Sequence, residues 1–276
     1  MSEISASSAS VVRAADYDRF LSGLFVPEAR RNHLFALYAF NHEIAKTAEI
    51  VTQPVMGQIR LQWWRETIAG IYTGGVRRHE TALALADAID AYGLPQALFD
   101  TLIDARERDI FRDEFATLVD LETYADATSG GLMRLAVRIL GGGDTLEETA
   151  KEAGIAYALT GLLRAIPFHA AQQRLMLPAD VMRGAGLSGE DVFAHDGARL
   201  SPVISHLSAA VRSHMKLASG APIARNLLPA LLPASLVQPY LRRLMHENFD
   251  VFRDAADLSV PRRQLVMLGT MIRGRL

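Results

Sequence analysis

Residues 35–50, FALYAFNHEIAKTAEI, decide the class of the fold. The apolar side chains of this stretch return with a helical period, with none of the strict alternation of a half-buried strand. Pro27 suits the first turn of the helix, because its fixed φ is helical and the N–H it lacks would find no partner there. Pro54 separates this helix from the next, IRLQWWRETIAGIY (59–72), which stops at Gly74 and Gly75. Working outward, ETALALADAIDAY (80–92) is closed by Gly93, and Pro95 precedes the long helical segment QALFDTLIDARERDIFRDEF (96–115). No run of β-branched residues bounded by hairpin turns interrupts the pattern. The expected class is all-α, with about ten helices.

Asp120 is placed to cap the next helix, LETYADATSGGLMRLAVRIL (121–140), which carries Gly130 and Gly131 in its middle. Glycine costs about 1 kcal/mol against alanine at such positions, so a close neighbouring backbone or a ligand is implied there. The helix ends at Gly141–Gly143. Thr145 and Glu148 have the spacing of a capping box for the helix through 147–166, which Pro167 should kink or end. Residues 168–200 read as short helices and loops, followed by helices near 201–219, 224–232, 236–248 and 261–274. No repeat or linker divides the chain. Residues 14–276 read as one domain, and residues 1–13, which begin MSEISASSAS, as a flexible N-terminal tail.

Half of the 276 residues are hydrophobic and 22% are charged, enough apolar surface for a substantial core. Cysteine is absent, which removes disulfides, thiolate metal sites and a cysteine nucleophile, and fits a reducing compartment. A formal charge of −2 gives no basic field for nucleic acid, and that class is set aside. No stretch approaches a transmembrane helix, and the N-terminus has the features of neither a secretory signal nor an Arg-rich transit peptide. The expected location is cytoplasmic, with any membrane contact peripheral.

FALYAFNHEIAKTAEI, WWRETIAGIY (63–72), YADATSGGLMRLA (124–136), GIAYALTGLLRA (154–165) and RLMLPADV (174–181) occur in an order and spacing that resembles the squalene and phytoene synthase family over roughly residues 17–250. The resemblance implies an isoprenoid synthase-type helical bundle around a central cavity, in which aspartates on two facing helices hold magnesium against the diphosphate of an allylic substrate. Ionising such a diphosphate leaves a highly charged leaving group, which hard oxygen ligands and divalent cations must neutralise. Carboxylates four residues apart on one helix face form the required wall.

The matching positions lack that wall. The first motif falls on Ala45, Lys46, Thr47, Ala48 and Glu49, where only Glu49 is acidic, and the family's preceding arginine falls on His42. The asparagine and two aspartates of the second motif fall on Gly161, Ala165 and His169. Arg164 is kept, and Arg174, Leu177 and Pro178 match the stretch beyond. No catalytic residue, metal or cofactor is therefore expected. The departures resemble one branch of the family, the non-catalytic assembly factors of respiratory complex I, in FALYAFNHEIA (35–45), LQWWRETIAGIY (61–72) and LLRAIPFH (162–169). This implies an assembly factor or scaffold whose partners are complex I subunits or assembly intermediates. An isoprenoid lipid in the cavity is a further implication, with Tyr38, His42, Trp64, Arg164 and Arg174 as candidate contacts. The expected place is peripheral, on the inner face of the cytoplasmic membrane, or on the matrix side in a eukaryote. The alternatives are a working prenyl-diphosphate transferase, with magnesium on a rebuilt site using Glu49, Asp109 and His169, and a lipid carrier.

Several features admit a plainer reading. Asp109 and Asp113, with Asp104 and Glu114, have metal-ligand spacing, but the interleaved Arg106, Arg108 and Arg112 favour a solvated, salt-bridged face. His169 reads as a hydrogen-bonded structural histidine rather than a ligand. Trp63 and Trp64 are adjacent and cannot both face a tunnel, so core packing is favoured for each. Arg30, Arg31 and Arg65 can meet an anionic headgroup, although surface arginines usually serve no such purpose. The segment PRRQLVMLGTMIRGRL (261–276) has the composition of either a last docked helix or a membrane-surface helix.

Overall fold

The computed structural model describes residues 3–276, which are helical with no strand among them. The first half consists of α1 (Glu3–Ala15), α2 (Tyr17–Gly23), α3 (Glu28–Ala45), the short α4 (Thr47–Ile50), α5 (Pro54–Tyr72), α6 (Glu80–Tyr92) and α7 (Gln96–Phe111). Then come α8 (Leu118–Ala125), a π-helical turn (Asp126–Gly130), α9 (Gly131–Ile139), a 3₁₀ turn (Asp144–Leu146) and α10 (Glu147–Arg164). The remainder is α11 (Ile166–Ala171), α12 (Ala179–Gly184), α13 (Gly189–Phe193), α14 (Gly197–Ala218), α15 (Leu228–Ser235), α16 (Val237–Leu244) and α17 (Val260–Arg273). Pro54 opens α5 as the sequence implies, whereas Pro27 stands one position earlier than expected, as the N-cap of α3 with an extended ψ of 145°, and the helix begins at Glu28. Gly93 closes α6 in the left-handed conformation at φ 57°, where a Cβ would be strained.

α10 is the axis of the bundle, packed along α14 on one side and against the π-helical turn and α9 on the other. One apolar cluster runs from Val12 to Val251 through these helices, and a smaller one around Tyr240 and Met267 joins α2, α15, α16 and α17. The glycines in mid-helix have a geometric cause. A Cβ added to Gly154 would lie 2.5 Å from the Cα and 2.6 Å from the N of Gly130, so the α10 backbone rests directly on the π-helical turn.

Three local expectations need correction. Residues 3–13 of the expected tail are helical, as part of α1, and α1 packs on α3; residues 1 and 2 lie outside the described residues. Ser8 and Val12, four apart and so on one face, are both buried; the polarity of the segment obscured this spacing. α8 is capped by Thr117, whose Oγ accepts from the Asp120 N–H while Asp120 accepts from the Thr117 N–H, so Asp120 is the third residue of a capping box and not the cap. The Thr145–Glu148 box does not form, because the 3₁₀ turn occupies its place and α10 starts at Glu147.

Candidate functional site

A cleft of about 540 Å³ opens between the α1–α2 junction, the end of α3, the π-helical turn, α10 and the start of α17. Gly161, Arg164 and Ala165 line it, so two of the three positions of the second degenerate motif face the cavity, while His169 does not. The side of Gly161 is open: a Cβ there meets nothing within 4 Å. α10 ends at Arg164 and α11 begins at Ile166 with Pro167 in its first turn, so Gly161, Ala165 and His169 span a helix junction. The first motif is broken in the same way. α3 ends at Ala45, Lys46 forms the junction, and Glu49 lies exposed on α4. Lys46 is ion-paired to Glu43, which Arg60 also holds at 2.7 Å.

Four arginines and three aspartates line the cleft. Arg19, buried between the rings of Tyr157 (5.0 Å) and Tyr38 (5.7 Å), pairs with Asp16 and donates to Ser129 Oγ at 3.3 Å. Burial opposes its charge, but Asp16 and the two phenols more than compensate, holding the guanidinium above its ordinary pKa. Asp18 is buried and accepts from Arg263 (3.0 Å), Tyr240 (3.0 Å) and Tyr157 (3.3 Å). Burial nevertheless drives its carboxyl above the usual range, against the pull of Arg263. Asp257, whose side chain is 67% exposed, bridges Arg164 and Arg263 at the mouth, and Arg164 sits 3.7 Å over the Tyr240 ring. Arg106, on the far wall, donates to the Tyr124 hydroxyl at 2.7 Å and to Asp109 at 3.1 Å.

Multi-magnesium chemistry does not fit these residues. Every aspartate in the cleft is already neutralised by an arginine of the same chain, and a divalent cation placed among those guanidiniums would be repelled. Among the described residues, no group of three or more His, Asp or Glu side chains converges in an arrangement that would hold a metal ion. The cleft instead offers guanidiniums and tyrosines, groups that bind an anionic or amphipathic molecule.

Of the candidate contacts, Arg164 lines the cleft, and Tyr38 lies behind it, buried under Arg19. Burial and then Lys46 lower the His42 pKa, and His42 does not line the cleft. Trp64 is a correction: it is 1% exposed and packs edge-on against Phe40 in the core, while Trp63 is only partly buried. Arg174 is committed elsewhere, to Asp109. Asp109 is a second correction. It is buried, accepting from Tyr124 at 2.9 Å and held by Arg106 and Arg174, whereas Asp113 lies beyond the end of α7. His169 is a third: its Nδ1 is buried with no hydrogen-bond partner, and burial with the nearby Arg174 charge lowers its pKa to about 4. Arg30 donates to the Leu140 carbonyl, Arg31 to Val26 O at 2.9 Å, and Arg65 pairs with Asp104 at 2.8 Å, so each has an internal partner. His214 joins three helices, with Nδ1 2.6 Å from Glu152 and Nε2 3.2 Å from Glu122. Asp18, Arg263 and Asp257 carried no sequence signal, because Asp18 pairs with Arg263 and Asp257 with Arg164 across long stretches of chain, and the local Asp16–Arg19 pair looks like any i,i+3 surface pair until burial is known.

Comparison with known proteins finds relatives along most of the chain. Complex I assembly factor 6 of Bos taurus is 29% identical over 246 residues, covering 88% of this chain and 74% of its own. The Dictyostelium discoideum homologue is 26% identical over 249 residues, covering 87% of this chain and 70% of its own. A presqualene diphosphate synthase of Rhodopseudomonas palustris is 30% identical, but over 63% of each chain. A dehydrosqualene synthase crystal structure superimposes with a TM-score of 0.88 over 98% of this chain and 96% of that one, at 17% identity, which establishes the shared fold. The sequence model of squalene/phytoene synthase matches residues 12–264, and the chain belongs to that family.

Proposed function

We propose that this chain is a non-catalytic member of the squalene/phytoene synthase family that acts as an assembly factor or scaffold for respiratory complex I. The observation that carries the reading is the ionic saturation of the cleft: arginines neutralise Asp16, Asp18 and Asp257, and the motif positions Ala45, Gly161 and Ala165 have no carboxylate. Relatives named as complex I assembly factors, similar along most of the chain, support the biological role. Its partners in this reading are complex I subunits or assembly intermediates. The tyrosine-walled cleft, open beside Gly161, supports binding of an isoprenoid lipid without turnover, and no metal or cofactor is required. The reading places the chain peripherally, on the inner face of the cytoplasmic membrane or the matrix side in a eukaryote, and no helix among the described residues is long and apolar enough to cross a membrane. Deleting the gene and resolving complex I on native gels tests the role. Loss of the fully assembled complex, restored by the wild-type gene, is expected, and normal assembly in the deletion strain refutes it.

A further inference from the structure

The last helix carries a surface that the bundle does not use. α17 docks through Met267 and Thr270, both buried, while Leu265, Leu268 and Ile272 are 68%, 46% and 67% exposed. At roughly 100° per residue, these three project within about 60° of one another, on the side of the helix facing away from Met267 and Thr270. The ridge continues across a shallow apolar groove shared with Leu21, Leu24 and Phe25 of the α2 region. On its other flank lie the exposed Arg262 and Arg273, followed by Arg275. Arg262 also lines a pocket of about 490 Å³ with Arg242, Arg243 and His246, in which the acidic residues are Glu247 and Asp254.

Charge decides what covers this face. From Leu258 to Leu276 there is no acidic side chain, and of the four arginines Arg263 turns inward to Asp18 while Arg262, Arg273 and Arg275 stay exposed, although the whole chain is slightly acidic. The exposed ridge of α17 is itself purely aliphatic, with Phe25 the one aromatic ring lining the adjoining groove, whereas the centre of a protein interface is enriched in Tyr, Trp and Phe. A ridge of this kind beside charges of one sign has the form of a helix lying in the headgroup region of a bilayer, its apolar face immersed by about 5 Å.

We propose that α17 is a membrane-docking surface for anionic phospholipid, with Leu265, Leu268 and Ile272 entering the bilayer boundary and Arg262, Arg273 and Arg275 holding the headgroup phosphates. The inference rests on the peripheral placement given above and specifies the residues that achieve it. The basic pocket at Arg242 and Arg243 provides a second phosphate contact on the same flank.

Sedimentation of the full-length protein with vesicles tests the proposal. Binding to equimolar phosphatidylcholine and phosphatidylglycerol, and much weaker binding to phosphatidylcholine alone, is expected. Leu265→Ser with Ile272→Ser should weaken binding by about tenfold or more. Arg262→Ala with Arg273→Ala should weaken it by about fivefold per arginine removed, an effect that fades as salt is raised. All four side chains are solvent-exposed, and unchanged thermal melting of the variants shows that the fold is retained. Wild-type protein that ignores phosphatidylglycerol vesicles, or variants that bind as well as wild type, overturn the proposal. Neither result touches the assembly role, and normal complex I in a deletion strain leaves the vesicle result standing.

Discussion

Two glycines on α10 should respond to alanine with opposite signs. At Gly154, a Cβ meets backbone atoms: Gly130 Cα at 2.5 Å, Gly130 N at 2.6 Å and the Ser129 carbonyl carbon at 2.8 Å. None of these can rotate away, and carbon atoms pack at about 3.5–4 Å, so α10 and the π-helical turn must separate by roughly 1 Å. The gain in helix propensity, about 1 kcal/mol, is outweighed by overpacking and by the looser fit of the side chains around the widened gap, for a net loss of about 2–4 kcal/mol. The turn also carries Ser129, which holds Arg19, so the cleft should deform with it. At Gly161, one turn from the helix end, nothing lies within 4 Å of the added methyl group, and alanine should stabilise by about 0.5–1 kcal/mol. Urea unfolding followed by circular dichroism measures both. A Gly154→Ala protein as stable as wild type, or a Gly161→Ala protein clearly less stable, refutes the close-approach argument.

Asp109→Ala should destabilise by about 3–5 kcal/mol, because it leaves Arg106 and Arg174 without their buried counter-ion; chemical denaturation at neutral pH reads the loss. A merely solvated aspartate would cost under about 0.5 kcal/mol. His169 introduces acid sensitivity. Its folded-state pKa of about 4 lies below the ordinary 6.5, so the folded protein favours the neutral ring, and this contribution, present above pH 6.5, is lost as pH falls toward 4. The loss is about 2–3 kcal/mol. His169→Leu should match or exceed wild type at neutral pH and show a shallower fall in stability across that window, and an unchanged pH profile counts against the assignment.

The fold was legible where the backbone itself imposes punctuation. Pro27, Pro54, Gly93 and the Gly130–Gly154 approach announce themselves because few residues satisfy those positions. The missing carboxylates at Ala45, Gly161 and Ala165 were legible for a related reason, since a residue type either can or cannot ligate. What replaces them was not legible. The partners Asp18 and Tyr240 are 222 residues apart, and Asp18 and Arg263 are 245 apart, so no local spacing links them. Asp109 was misread because alternating charges on α7 look the same whether or not they are covered, and only the tertiary contacts with Tyr124 and Arg174 distinguish the two. The N-terminal helix was missed because small polar residues that permit close packing on α3 have the composition of a tail.

In the proposed reading, guanidiniums take the place of metal in this cleft and leave no means of drawing a diphosphate from an allylic chain. Incubating the purified protein with farnesyl diphosphate and magnesium while measuring pyrophosphate release tests this most directly. Release no faster than in a protein-free control is predicted, and magnesium-dependent release accompanied by a squalene- or phytoene-type product contradicts it.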